Sequence, residues 1–305
     1  MRRRFLTADV FTDHVFGGNP LAVFPDGRGL STEQMRRVAG ELNLSETVFV
    51  LPPDNPGHTR RLRIFTPGTE LPFAGHPTVG TAIVLASIGD VALTGDETRI
   101  VFEEIVGPVP VTIRAEGGVP VFAQISAAKL PATGPPPPSV EELAGLLSID
   151  PADILTGSEA PENVSAGVPF LFIPVRDRSV LARCRVRLDR WDALLAAGPE
   201  TPELYVFSHD PELPGSDFRA RMFAPGFGIP EDPATGGAAT AFGGYAGSRA
   251  PERDGTLRWT IEQGFEMGRP SLLHLEVDKR DGEITAVRVG GGAVLVSEGT
   301  MEIPG

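Results

Sequence analysis

The stretch that decides the fold is Leu71-Pro72-Phe73-Ala74-Gly75-His76-Pro77-Thr78-Val79-Gly80-Thr81-Ala82-Ile83-Val84-Leu85-Ala86. Proline suits the first position of a helix because its missing N–H would have no partner there, so His76-Pro77-Thr78 reads as cap, first residue and first turn. From Val79 to Ala86 almost no polar side chain occurs on any face, and a helix that is apolar all round has to be wrapped by other structure. The same grammar returns in Ile229 to Gly247. There Asp232-Pro233 replaces His76-Pro77, Thr235-Gly236-Gly237 makes the opening turn, and Ala238 to Ala246 supplies a second small, uncharged helix. Two wrapped helices imply two domains. Each helix starts in a glycine-rich turn whose unpaired N–H groups and positive dipole end can hold an anion, most effectively where two such starts face each other across a cleft.

Taken singly, these residues say less. Asp150-Pro151-Ala152-Asp153 is another Asp-Pro-Ala helix start with nothing catalytic near it, so capping alone accounts for Asp232 by roughly two to one. His76 alone is similarly weak. Capping does not account for the duplication of an apolar helix behind a Gly/Thr-rich loop.

Composition narrows the function. A chain of 305 residues has room for real cores, and its length predicts about two domains. The net charge of −13 comes from acidic residues scattered along the chain, which disfavours nucleic acid, because a phosphate backbone needs a basic stripe. No apolar run reaches the roughly 20 residues that span a bilayer. The start Met1-Arg2-Arg3-Arg4 leads into an alternating segment, Phe5 to Phe11, without the apolar core of a signal peptide. A cytoplasmic protein with no membrane partner is expected. The single cysteine, Cys184, rules out an internal disulfide and argues against a thiol metal site. The two lysines, Lys129 in a boundary segment and Lys279 in a charged turn, offer nothing credible for Schiff-base or pyridoxal phosphate chemistry. The histidines lack metal-ligand spacing, and no phosphate loop, nucleophile elbow or His-Glu-x-x-His occurs. No cofactor and no metal are expected.

In chain order, Phe5–Phe11 and Leu21–Phe24 read as strands joined by the turn Gly17-Gly18-Asn19-Pro20. Ser31-Thr32-Glu33-Gln34 is a capping box that opens an amphipathic helix to about Leu42. Strands follow at Thr47–Leu51 and Arg61–Phe65, and beyond the central helix at Arg99–Glu103, Val109–Arg114 and Phe122–Ser126. Leu130 to Ser139, with Pro131 and the run Pro135 to Pro138, reads as an interdomain linker. The pattern then restarts. Ser139 with Glu142 caps a helix, Gly167-Val168-Pro169 leads into an apolar strand as Gly18-Asn19-Pro20 does, and Asp189–Ala197 is a helix in the place of Thr32–Leu42. Strands at Tyr205–Ser208 and Phe218–Phe223 precede the second central helix, and four more from Thr256 to Ser297 close the chain. The two halves resemble a diverged internal duplication.

These motifs in this order resemble the phenazine-biosynthesis isomerase (PhzF-like) family, within the diaminopimelate epimerase-like fold. The matching stretches are Gly18 to Phe24, Leu42 to Phe49, Arg63 to Pro67, Leu71 to Thr78, Arg221 to Pro225, Glu231 to Gly236, Gly268 to Ser271 and Val289 to Gly291. The resemblance implies an α+β protein of two similar domains, each an antiparallel barrel-like sheet wrapped round its central helix. The expected boundaries are 1–127 and 128–292, with the last strand, about 293–305, a candidate to return to the first domain. The resemblance also implies Glu46 as catalytic acid/base, with His76 and Asp232 flanking the substrate and the turns at Gly75, Thr235, Gly236 and Gly237 binding its polar groups. The residues add a reason for Glu46: it is the only charge between Asn43 and Leu51, and desolvation makes a carboxyl hold its proton more tightly, as a proton shuttle needs. Without the motif, a glutamate at the exposed end of a strand is the better reading by about three to one. Gly237 stands where the family usually has serine, so a hydroxyl is missing from the expected pocket. That puts the family's type reaction, isomerisation of a dihydro-hydroxyanthranilate, in question here. Racemases of this fold use two thiols, and neither central-helix loop contains cysteine.

The leading expectation is therefore a cofactor-independent isomerase that moves a proton within a small carboxylated metabolite, with a homodimer as one expected assembly. An epimerase using Glu46 with His76 or Asp232, and a non-catalytic small-molecule-binding protein on the same scaffold, are the alternatives.

Overall fold

A computed structural model describes residues 1–195 and 201–305. The chain forms two compact units, Met1–Ser126 with Gly290–Gly305, and Ala127–Val289.

The first unit contains β1 (Arg2–Val10), β2 (Asn19–Phe24), β3 (Glu46–Leu51), β4 (Arg60–Phe65), β5 (Glu70–Leu71), β6 (Glu97–Glu104), β7 (Gly107–Glu116) and β8 (Val119–Ser126), with α1 (Thr32–Leu42) and α2 (Gly75–Ser87). The chain's final strand, Ala293–Glu302, lies antiparallel to β1. The sheet is largely antiparallel, as the sequence implied, but β2–β3 and β4–β6 run parallel. A parallel neighbour needs a crossover connection, and α1 makes the first and α2 the second. Helix α2 touches β1, β2 and β3 and also β7, β8 and the final strand, so the sheet curls round it. Close approach explains the small residues: a Cβ added at Gly80 would lie 2.5 Å from Val10 Cγ2 and 2.7 Å from Leu21 Cδ2. The other face of the sheet carries Phe24, Phe49 and Phe65, which pack with Met35, Val38 and Ala39 of α1. Helix α1 opens on the expected capping box, with the Ser31 hydroxyl and the Gln34 side chain each accepting from the other's backbone N–H.

The second unit repeats this plan with β9 (Ala132–Thr133), β10 (Glu162–Ser165), β11 (Pro169–Pro174), β12 (Glu203–Ser208), β13 (Phe218–Ala224), β14 (Ile229–Asp232), β15 (Gly255–Gln263), β16 (Ser271–Arg280) and β17 (Glu283–Gly291). Its helices are α3 (Val140–Leu147), α4 (Arg178–Arg183), α5 (Leu188–Leu194) and α6 (Gly236–Arg249). Again two pairs are parallel, β11–β12 and β13–β15. Helices α3 to α5 cover Leu171, Ile173, Leu204 and Val206. The alternate residues Phe172, Tyr205 and Phe207 meet Phe242 of α6, with ring centroids 5.6, 5.8 and 4.8 Å away. Strands covered on both faces need no polar alternation, which is why these segments read as continuous apolar runs.

Three local readings change. The stretch Leu130–Ser139 is not plain linker: Ala132 and Thr133 lie between Pro131 and the run Pro135 to Pro138 and pair with Ser165 and Val164 of β10. The six-residue helix α4 is absent from the sequence reading, being too short to show periodicity. The helix read over Asp189–Ala197 ends at Leu194, and its last two residues lie outside the described ones. No helix among the described residues is long and apolar enough to cross a membrane.

Candidate active site

In the first unit, Leu21 of β2 and Glu46 of β3 are register partners, and side-by-side residues of neighbouring strands share a face. Leu21 packs against Gly80 of α2, so Glu46 also points toward that helix. Helix α1 ends on Asn43 in the left-handed conformation, φ 50°, with its N–H bonded to the Ala39 carbonyl, and this turns the chain into β3 within three residues. Glu46 is thus the first residue of a strand, yet its side chain is only 13% exposed.

His76 comes to it from α2. The sequence made His76 the helix cap and Pro77 the first residue; the helix instead begins at Gly75, with Ala74 as an N-cap that has no side-chain bond to give. His76 lies inside the first turn, and its Nε2 is 3.0 Å from Glu46 Oε2. Both atoms are buried and neither is aligned for a hydrogen bond with any described group. Buried polar atoms are almost always satisfied, so this contact leaves an acceptor and a ring nitrogen available to a third group. The other histidines are engaged elsewhere: His14 with Asp13, His58 with Glu103, His209 with Glu159, and His274 with Thr260.

The second unit gathers the other candidates. Asp232 does not cap α6, whose N-cap is Thr235 without a side-chain bond. Asp232 ends β14, where its carboxylate accepts the Thr235 hydroxyl at 2.5 Å. Gln263 locks this corner, with Nε2 donating to the Asp232 carbonyl (2.8 Å) and to Thr235 Oγ1 (3.0 Å) while Oε1 accepts the Thr235 N–H (3.3 Å). Gly236 is buried and Gly237 half-buried. A Cβ at Gly237 would have Phe170 Cζ, 4.0 Å away, as its nearest neighbour, so the backbone there has space for a side chain.

Two arginine–glutamate forks hold the loops that lead into these helices. Arg63 binds Glu70 through Nε and Nη2 at 2.6 Å each. Arg221 binds Glu231 through Nε and Nη2 at 2.8 Å each, and its Nη1 donates to the Leu181 and Cys184 carbonyls at 3.0 Å. In the sequence, Arg63 and Arg221 belong to matching motifs and carry no evident role. The shared spacing of Arg61-x-Arg63-x-Phe65 and Arg219-x-Arg221-x-Phe223 was the available signal. Gln263 had none.

Cys184 is fully buried, and burial pushes its thiol up to about 12, so it stays protonated and is no nucleophile at neutral pH. No group of three or more His, Cys, Asp or Glu among the described residues could hold a metal ion.

Comparison with known proteins gives this geometry a context. The family model for phenazine biosynthesis-like proteins matches residues 8–299. An uncharacterised isomerase of Mesorhizobium japonicum is 42% identical, over 99% of both chains. The trans-2,3-dihydro-3-hydroxyanthranilate isomerase of Pseudomonas aeruginosa is 35% identical, over 97% of this chain and 98% of the other. Among solved structures, a phenazine biosynthesis protein of Bacillus anthracis superposes with a TM-score of 0.89 at 26% identity, over 99% of this chain and 100% of the other. A hydroxyproline epimerase of Agrobacterium vitis shares the fold, with a TM-score of 0.60 at 12% identity, over 98% and 92% of the two chains.

Proposed function

The chain belongs to the phenazine biosynthesis-like (PhzC-PhzF) family and is an isomerase, and from that premise we propose that it moves a proton between two carbons of a small, carboxylate-bearing metabolite without a cofactor, with Glu46 as the acid/base. The observation that carries the reading is the buried contact of Glu46 Oε2 and His76 Nε2, 3.0 Å apart and unsatisfied by hydrogen bonds. Glu46 takes the proton from a carbon activated by the substrate's conjugation, the C–H electron pair enters the π-system, and the same carboxyl returns the proton to a second carbon on the same face. His76 sits against Glu46, with Nε2 3.0 Å from Oε2, and fixes where that carboxyl meets the substrate. The uncapped first turn of α2 at Gly75 receives the substrate carboxylate; Asp232, Thr235, Gly236 and Gly237 are the candidate polar contacts that the second unit offers.

Epimerisation has less support. Two groups in contact cannot flank a carbon from opposite faces, so Glu46 and His76 serve one face, and an epimerase would need Asp232 as its second base. Exchange separates the readings. In heavy water, an isomerase of this kind acting on a conjugated carboxylate incorporates deuterium only at the receiving carbon, with turnover. Loss of deuterium incorporation in Asp232→Asn together with retention in Glu46→Gln would overturn the assignment, and binding of the same ligands with neither exchange nor turnover would leave only a binding protein. The substrate of the Pseudomonas relative is the first compound to test, because Gly237 removes a hydroxyl that the family pattern provides. Turnover that appears in Gly237→Ser but not in the parent chain would tie substrate choice to that position.

A further inference from the structure

We propose that Glu104 is a neutral carboxylic acid that donates a hydrogen bond to Thr78 and so positions the first turn of α2, and with it His76. The hydrogen inventory requires this protonation. Thr78 Oγ1 lies 2.7 Å from the Ala74 carbonyl oxygen and 2.7 Å from Glu104 Oε1. A hydroxyl has one proton to give. A carbonyl only accepts, so the Thr78 proton goes to Ala74, and the second short contact needs a proton from Glu104. Were Glu104 ionised, two acceptor oxygens would face each other at 2.7 Å with nothing between them.

The second unit supports this with a residue that cannot ionise. Arg61 of β4 pairs in register with Glu103 of β6, and Arg219 of β13 pairs with Glu262 of β15. Glu103 accepts the backbone N–H groups of Asp54 and Asn55, and Glu262 those of Glu212 and Leu213. The residue after each therefore occupies the same position in its sheet: Glu104 in the first unit and Gln263 in the second. Gln263 donates through Nε2 to the threonine at the head of α6. A protonated glutamate is the nearest substitute for glutamine in shape and in having a donor, and it bonds Thr78 in the first turn of α2 where Gln263 bonds the N-cap threonine of α6.

The surroundings keep the proton in place. Glu104 is 8% exposed and Thr78 is fully buried. Glu103, its neighbour on the strand, faces the other way and is occupied with His58 and the loop amides. Arg61 of β4 pairs with Asp54, β7 presents uncharged Gly107 opposite Glu104, and α2 contributes His76 as the titratable group of its first turn. No charge offsets the burial, which raises the Glu104 carboxyl to about 8. Glu104 Oε2 has no partner, and an unpaired carbonyl-type oxygen costs far less to bury than an unpaired carboxylate oxygen.

The positioning role rests on the reading of His76 above; the protonation does not, and the test separates them without any substrate. The full-length chain, Glu104→Gln and Glu104→Ala are compared from about pH 5 to about pH 9. In the parent chain, infrared spectra should show a protonated-carboxyl C=O stretch at neutral pH that bleaches with a midpoint near 8 and is missing from Glu104→Gln. The thermal midpoint of Glu104→Gln should gain on that of the parent as pH rises, because the parent alone has a proton to lose. The His76 ring resonances should match the parent in Glu104→Gln and be displaced in Glu104→Ala. No protonated-carboxyl band at neutral pH, or a midpoint difference independent of pH, would overturn the protonation. A His76 signal displaced equally in both variants, or in neither, would overturn the positioning.

Discussion

The two units place a glutamate at the same point of the same strand pair and use it differently. Glu46 pairs in register with Leu21, and Glu203 pairs with Phe170; each opens its strand one parallel crossover after a proline-led strand. Glu46 faces His76 and keeps an unsatisfied oxygen. Glu203 is 2% exposed and lends a carboxylate oxygen to the Gly226 N–H at 3.4 Å. The difference recurs at the head of each central helix, where the first unit has ionisable His76 and Glu104 and the second has Thr235 and Gln263 held by neutral hydrogen bonds. One copy of the repeated plan has groups that can carry protons near the head of its central helix, and the other uses Glu203 and Gln263 as braces.

The sharpest way to break this contrast is to neutralise both glutamates. Glu46→Gln should lower solvent-proton exchange by about two to four orders of magnitude, the usual result of removing a general acid/base, with the thermal midpoint nearly unchanged. Glu203→Gln should lower the midpoint and leave exchange per folded molecule within about a few-fold. Equal losses of exchange would erase the distinction.

Next come the arginine forks. Arg221 is 5% exposed, and Arg221→Met strands Glu231 and two carbonyls, which should cost about 3–5 kcal/mol in urea unfolding, as for a broken buried pair. Arg63 is less enclosed, with 22% of its side chain exposed, so Arg63→Met should cost about 1 kcal/mol or a little more. A reversed order would show that the first unit depends on its fork as much as the second.

Gln263→Glu carries the first unit's chemistry into the second. Gln263 is fully buried, so a glutamate there stays neutral and its folded-state pKa lies above the unfolded value. The variant should be near the parent in stability below about pH 4, where both states are protonated, and lose about 1–3 kcal/mol as pH rises toward the folded-state pKa. A flat difference across pH in denaturant titrations would mean that the site tolerates the charge. The smallest effect belongs to Gly237→Ser: with Phe170 Cζ 4.0 Å from the new Cβ, the midpoint should move by no more than the equivalent of about 0.5 kcal/mol, which makes any change in substrate preference readable.

Much of the fold was legible because its signals are local. The capping boxes Ser31–Gln34 and Ser139–Glu142 sit where the sequence put them, and both apolar central helices are wrapped by mixed sheets. The start of α2 was misplaced because Pro77 is a strong first-position signal, whereas the turn actually begins at Gly75 without any side-chain cap. The parallel pairs were invisible, since strand direction depends on which strands meet and not on either strand's sequence. The candidate site was partly legible in the same sense. Glu46, His76 and Asp232 were named from motifs, but the partners that orient the helix heads lie 26 residues from Thr78 in one case and 28 from Thr235 in the other. A neutral glutamate also reads in sequence like any other glutamate.

The lysine content has a practical side. Lys279 is 7% exposed, with Nζ donating to the Gly247 and Ala250 carbonyls at the end of α6 at 2.9 and 3.0 Å, and its ammonium has little access to a reagent in the folded protein. Every other basic side chain of this arginine-rich chain is inert to amine-directed reagents, save exposed Lys129. Among the lysines, an activated ester at mild pH should therefore derivatise Lys129 alone, giving a dye or a surface tether a defined attachment point without mutagenesis. A second lysine reacting only on warming would report the release of α6's end as the second unit opens.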